Sequence, residues 1–463
     1  MTTLGTEQRP LWIAVIGAGP AGFYAVEALL KGDAHVRVDI IERLPTPFGL
    51  VRSGVAPDHQ SIKGVTRIYE KILADPRVRY FGNVSMGSDI SHDELLTYYD
   101  QIIYAVGAQS DRKMGIPGEH LIGSAPATSF VGWYNGHPYY RNSEFNLNTH
   151  QRVVVIGNGN VAMDVTRALL APVDTLATTD MADHALAGLR ASTVTQVVVV
   201  GRRGPVQAAF TTPELKEFGE LPGVDVLLDP VDFTLDPISE AQLAENKVAG
   251  RNHEVMKGYI ERGLSGATKS IHMQFLWSPL EIVGHYGHVT GVVMERNRLV
   301  DDGNGNVKAE GTGATRTIAC GMVLRSVGYR SVALPGVPFD DKRGLIPNID
   351  GRVIDTANQT PIDRTYVVGW AKRGPSGIIG TNKPDSVATV TSMKADWESL
   401  NGIADGHRTG YAVATLLTSR SAQIVTYADW QKLDAYETTN GNTQHRPRVK
   451  VVDIKEMLDI IKR

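Results

Sequence analysis

Three glycines, Gly17, Gly19 and Gly22, follow directly on the apolar run Leu11–Ile16 in "LWIAVIGAGPAGFYAVEALLKG". Behind them Phe23, Val26, Leu29 and Leu30 recur at helical spacing, and a second apolar run, "VRVDIIE", closes on Glu42. Each part has a chemical use. Gly17 permits a tight turn, Gly19 lets a pyrophosphate approach the backbone, and Gly22 lets helix pack close to strand. Pro20 and Ala21 open the helix, whose free N–H groups and positive dipole end receive phosphates. Glu42, 20 residues beyond Gly22, can accept hydrogen bonds from both ribose hydroxyls. The same residues could form an ordinary strand–helix turn; the acid at the strand end favours a dinucleotide site.

The arrangement recurs in "QRVVVIGNGNVAMDVTRALL", with Gly157, Asn158, Gly159, Asn160, Val161 and Ala162, the alanine being a tolerated third residue. Its partner run "TQVVVVGRRG" arrives after a polar, helix-like insertion, "DTLATTDMADHALAGLRAS". Here Arg202 and Arg203 stand where the first unit has an acid. A carboxylate repels a 2′-phosphate, whereas guanidinium groups bind one by charge-assisted hydrogen bonds. An Arg pair by itself is more often a solvated strand edge; after a second glycine turn it points to NADPH. Two such sites imply two cofactors, FAD at the acid-ended one and NADPH at the Arg-ended one.

The elements that must position these groups form an α/β chain. We expect two Rossmann-like dinucleotide-binding domains, the NADPH domain (111–331) inserted in an FAD domain made of 1–110 and 332–463. Apolar runs ending in glycine, "YDQIIYAVG", "GMVLRSVG" and "YVVG", supply further strands. "DDGNGNVKAEGTGATR" reads as a hairpin, and the tail "NTQHRPRVKVVDIKEMLDIIKR" as a docking helix with an apolar stripe.

Composition narrows the class. Of 463 residues, 42% are apolar and 21% charged, and the net charge of −3 gives no reason to expect nucleic acid or an anionic membrane as main partner. No apolar run is long enough to span a bilayer, and the start carries no basic n-region, so the expected location is the cytoplasm. The single cysteine, Cys320, rules out a redox disulfide or a cysteine-ligated iron–sulfur cluster within this chain. No metal site is expected. Electrons from a reduced flavin would have to leave to another chain.

"LPTPFGLVRSGVAPDH" (44–59) has neither a strand nor a helix period, yet carries Phe48, Leu50, Val51 and Val55. Its prolines stiffen it, and the expectation is that its apolar residues pack around a cofactor rather than a second helix. His59 at its end reads equally as a buried structural histidine or a functional one.

Taken together, "GAGPAG", "LPTPFGLVRSGVAPDH", "AVGAQSDR", "VIGNGNVAMD", "GRRGPVQAAFT" and "VGWAKRGPSGIIGTNK" resemble the adrenodoxin-reductase-type ferredoxin–NADP⁺ reductases, most of all the actinobacterial members. The resemblance runs in order from residue 13 to about 390; the last 70 residues add little to it. It implies that Leu50 and Met86 contact FAD through backbone, as does Ala21, and that His59 stands near the nicotinamide and flavin rings. Glu217 would hold His59 by a hydrogen bond. Arg112 and Glu214 would contact NADP, and Asn158 to Val161 would wrap its pyrophosphate. Trp370, Gly377, Ile378 and Ile379 would approach the flavin, Gly377 also touching NADP. The implied activity is NADPH:ferredoxin oxidoreduction, with a separate ferredoxin as partner and a monomer compatible with the family. Ferredoxins are acidic as a rule, so Lys247, Arg251, Lys257 and Arg262 are candidates for a docking face, although Glu254 and Glu261 make an ordinary mixed-charge helix the simpler reading. A flavin monooxygenase, or a slow NADPH-switched sensor, would use the same two nucleotide turns.

Overall fold

The computed structural model describes residues 4–463 apart from 401, 409 and 421 and the side chain of Asp405. Two compact units divide it. One comprises 1–55, 59–110 and 328–463; the other comprises 56–58 and 111–327.

The first unit is built on a seven-stranded sheet. Five strands run parallel in the order Pro361–Val367, Gln101–Tyr104, Leu11–Ile16, Val36–Glu42, Val78–Gly82, and two short antiparallel strands extend one edge. The inner strands Leu11–Ile16 and Gln101–Tyr104 are mostly apolar because both faces of the sheet are covered. Ile13 and Val15 point into one core with Phe23 and Val26, while Ala14 and Ile16 point into the opposite one with Tyr99 and Tyr104. From Leu11–Ile16 the chain runs outward to Val36–Glu42 and Val78–Gly82, then returns to the other side of the first strand. That reversal opens a crevice at the carboxyl end of Leu11–Ile16, where ligands of doubly wound sheets bind.

Asp100, fully buried, ties this sheet to the distant chain. It accepts from the Trp12 N–H (2.9 Å), the Ile403 N–H (2.9 Å) and both terminal nitrogens of Arg408 (3.1 and 2.6 Å). Asp100→Ala strands a buried guanidinium and two amides, and should cost about 3–5 kcal/mol of stability. Denaturant unfolding of the apoprotein checks this; a loss below about 1 kcal/mol contradicts it.

The second unit carries a six-stranded all-parallel sheet, in the order Ser124–Pro126, Met322–Arg325, Arg152–Ile156, Gln196–Val200, Lys269–Gln274, Val224–Leu228. Its reversal lies beside Arg152–Ile156. A three-stranded antiparallel sheet (Trp277–His285, His288–Asp301, Val307–Ala319) packs Ile282, Val292 and Met294 against Val154 and Val198. The expected hairpin is the turn joining its last two strands. The insertion after the second glycine turn forms the helices Val173–Leu176 and Asp183–Arg190. Cys320 is buried in the same core, and burial pushes its thiol up to about 12.

One expectation needs correction. The 44–59 loop contains a single helical turn, Leu50–Ser53. Phe48 and Val51 are buried in the protein core. The Phe48 ring meets Phe23 (5.9 Å), Tyr69 (6.2 Å) and, edge-on, Trp430 (5.8 Å). Trp430 lies on the C-terminal helix Tyr427–Thr443, so a helix does cover this loop. Leu50 alone among the four is exposed. The terminal helix Ile454–Ile461 docks as its stripe predicts, through Met457, Ile460 and Ile461.

Candidate functional sites

In the first unit the strand Leu11–Ile16 ends at Gly17, whose φ of +110° suits glycine and whose added Cβ would lie 2.6 Å from the Ala105 carbonyl oxygen. A Cβ on Gly22 would lie 2.4 Å from the Gly17 carbonyl oxygen. These two glycines are demanded by the protein itself. Gly19 is different: nothing lies within 4 Å of a Cβ built there. The space it leaves opens on the start of the Pro20–Leu30 helix, which begins on proline and has no side-chain cap. A bare helix end facing empty space suits a pyrophosphate.

Glu42 reaches this turn from the end of its strand. Its Oε2 accepts from the Ala18 N–H at 2.9 Å and its Oε1 from the Leu44 N–H at 3.1 Å. Burial raises its pKa, against the lowering pull of those amides. Each carboxylate oxygen keeps a lone pair for a ribose hydroxyl.

Other elements of the unit gather at the same turn. The Phe48 N–H donates to the Ala18 carbonyl at 2.8 Å, and a Cβ on Gly49 would stand 3.1 Å from Gly19 Cα. From the far end of the chain, Ser386 Oγ donates to the Ala21 carbonyl at 2.9 Å. Gly369 (φ +72°) lies so close to Ala21 that its Cβ would be 2.6 Å from the alanine's. Gly369 donates its N–H to Asp385 at 2.6 Å, which fixes the turn into Trp370. Trp370 is half-buried against Tyr329 (5.2 Å) and donates its indole N–H to Ser376. Gly377 and Ile378 are exposed, and the Ile378 N–H donates to Thr381 Oγ1. Ile379 is partly buried against the core. Met86 sits near the opposite core, bridged to Ile90. His59 is half-buried at the start of the one-turn helix Gln60–Lys63, and its carbonyl accepts from Ile62 and Lys63.

The second unit repeats the turn. Gly157 has φ +119° and its Cβ would fall 2.1 Å from the Ser326 carbonyl oxygen, whereas Gly159 faces open space and the Asn160–Leu170 helix starts without a side-chain cap. Asn158 fits because Gly201 has no side chain: a Cβ there would be 2.5 Å from its amide. Asn160 turns sideways. It accepts from the Thr211 N–H at 2.8 Å and donates to Glu214 Oε1 at 3.3 Å, so it seats the helix Thr212–Phe218 against the glycine turn. The other oxygen, Oε2, is buried and has no hydrogen-bond partner among the described residues. An orphaned acceptor beside an open phosphate cradle is what a bound hydroxyl or amide would satisfy.

Arg202 is exposed and Arg203 half-buried at the end of the strand Gln196–Val200. Among the described residues neither guanidinium has a side-chain partner. Burial, then the charge of Arg202, holds Arg203 below the usual value. Two adjacent unpaired cations are a receptor for a dianion. Arg112 is exposed at the beginning of this unit. Glu217 has a partner that sequence reasoning did not supply: Arg167 Nη1 at 2.7 Å. Arg167 also forks onto Asp58 (3.0 and 3.0 Å) and meets Asp164 at 3.0 Å. Burial alone would lower its pKa, but the Asp58 hydrogen bonds and the surrounding carboxylates raise it.

Both turns therefore fit dinucleotides, and two of them in one α/β chain define a pyridine-nucleotide-dependent oxidoreductase. Residues 12–218, which span both turns, match the family described as pyridine nucleotide-disulphide oxidoreductase. With one cysteine, this chain lacks the pair that disulphide chemistry needs. NADPH-ferredoxin reductase FprA of Mycobacterium tuberculosis is 47% identical over 98% of this chain and 99% of its own length. The mitochondrial NADPH:adrenodoxin oxidoreductase of Arabidopsis thaliana is 40% identical over 98% of this chain and 95% of its own length. The solved structure of M. tuberculosis FprA in complex with NADPH aligns with a TM-score of 0.92 at 47% identity, covering 98% of this chain and 100% of that one. The chain belongs to the adrenodoxin-reductase-type NADPH-ferredoxin reductases, as its motifs imply.

Proposed function

We propose that this oxidoreductase takes hydride from NADPH and delivers single electrons to a separate ferredoxin in the cytoplasm, working as a monomer. The observation that carries the reading is the contrast between two otherwise equal glycine turns: the strand paired with the first ends on Glu42, and that paired with the second is followed by Arg202 and Arg203, whose guanidinium groups have no side-chain partner among the described residues. FAD, when bound, supplies the chemistry, accepting two electrons as hydride and releasing them singly.

The chain's own residues bind and orient. Gly17, Gly19, Pro20, Ala21 and Gly22 form the FAD pyrophosphate turn and Glu42 binds its ribose. Leu50, Met86, Trp370, Gly377, Ile378 and Ile379 are the proposed flavin contacts. Asn158, Gly159, Asn160 and Val161 receive the NADPH pyrophosphate, Arg202 and Arg203 its 2′-phosphate, with Arg112 and Glu214 as further contacts. Hydride transfer needs alignment more than proton transfer, so His59, with Glu217 as its proposed support, is a positioning residue here.

Anaerobic reduction of cytochrome c by NADPH, with and without a small ferredoxin from the same cell, tests the reading. A rate that rises and saturates with ferredoxin supports it; a rate indifferent to every ferredoxin tried overturns it. Within the site, Glu214→Ala should raise the KM for NADPH about 10-fold with kcat nearly unchanged, because the orphaned oxygen contributes uniform binding. A KM within twofold of wild type would remove Glu214 from the site.

A further inference from the structure

Glu437, on the C-terminal helix Tyr427–Thr443, is fully buried and fully engaged. Its Oε1 accepts from Arg52 Nη2 at 2.5 Å and the Val451 N–H at 2.9 Å; its Oε2 accepts from Arg52 Nη1 at 2.8 Å and Arg448 Nη1 at 3.1 Å. Arg52 is itself buried, lies over the Trp430 ring at 5.2 Å, and its carbonyl accepts from Lys450 Nζ at 3.0 Å. The two guanidinium groups hold the carboxyl below its usual range despite its burial.

A buried ion pair of this kind contributes little net stability over a well-packed apolar pair, but it fixes geometry. What it fixes is the turn Leu50–Ser53. Four residues earlier the same loop is tied to the first glycine turn, through Phe48 to Ala18 and Gly49 against Gly19. Leu50 lies between the two anchors and is 37% exposed. We infer that Arg52 and Glu437 are positioning residues for FAD: the C-terminal segment clamps the Gly49–Ser53 backbone in the conformation that the dinucleotide requires. The inference rests on the assignment of FAD to the first glycine turn.

The test uses the full chain, stripped of flavin and titrated with FAD, followed by flavin fluorescence. The double variant Arg52→Met/Glu437→Gln replaces the ion pair by neutral groups of similar length, leaves an amide oxygen to accept from the Val451 N–H, and retains the Arg448–Asp434 contact (2.6 Å). Its apoprotein should melt near the wild-type temperature, while its FAD dissociation constant rises 10- to 100-fold and amide exchange in 48–55 accelerates. Should the double variant fail to fold, Arg52→Lys decides by the same measurements, since it keeps the charge and loses the fork. A folded variant that binds FAD within twofold of wild type, with unchanged exchange in the loop, overturns the inference. A wild-type chain that does not bind FAD would instead overturn the cofactor assignment beneath it.

Discussion

Replacing Arg202 and Arg203 together by alanine should lower kcat/KM for NADPH about 30- to 1000-fold and leave NADH within about threefold of its starting value. The range follows from two charge-assisted contacts, partly exposed to water, contributing together about 2–4 kcal/mol. NADH lacks the 2′-phosphate and has nothing to lose. The direction is set by the neighbourhood: the two cations sit side by side without a carboxylate partner among the described residues, and burial, then the charge of Arg202, lowers the pKa of Arg203. A dianion relieves that repulsion, so preference for the phosphorylated cofactor arises from an electrostatic demand already present. Most of the loss should fall on KM, and rising salt should weaken NADPH binding in the wild type more than in the variant. Steady-state kinetics with both nucleotides measures all of this. An unchanged NADPH/NADH ratio would mean that the pair is only a solvated strand edge.

The parts of the site legible in sequence were those where backbone geometry forces a residue type. Gly17 and Gly157 must adopt positive φ against a neighbouring carbonyl, so their identity and spacing announce the turn. Glu42 and Arg202–Arg203 could be singled out in sequence because, in dinucleotide-binding folds, strand ends following such turns face the ribose. The 44–59 loop was harder. Prolines and apolar residues without a period say that a segment is ordered, not what orders it. Phe48 found its partner in Trp430, and Arg52 found Glu437 at a separation of 385 residues, which no local pattern reports. Glu437 reads as an ordinary solvent-facing charge on a helix, and Arg167 as a surface arginine; most of the partners that make their burial tolerable come from elsewhere in the chain. The Asn160–Glu214 link was likewise invisible, since asparagine is unremarkable in a glycine turn. Chemistry written into the backbone was readable; chemistry assembled by folding was not.

The glycines of the first turn should separate experimentally into two kinds. Gly19→Ala should leave the apoprotein's melting almost unchanged and weaken FAD binding about 100-fold, which corresponds to about 2.7 kcal/mol. Gly17→Ala should instead destabilise the apoprotein by about 3–5 kcal/mol, before any cofactor is considered. The backbone explains the difference. Gly19 has φ −92° and ψ −179°, an extended conformation open to alanine, and its Cβ would meet no protein atom within 4 Å. The added methyl therefore costs the folded chain little, and the volume it takes is the volume through which the pyrophosphate must approach. Gly17, at φ +110° with its Cβ 2.6 Å from Ala105 O, cannot accept a methyl without moving the strand that follows Asp100. Flavin titration and apoprotein melting, done on both variants, distinguish the two costs. If Gly19→Ala bound FAD like wild type, the open space at the helix start would not be the pyrophosphate site, and the assignment of the first unit to FAD would fall with it.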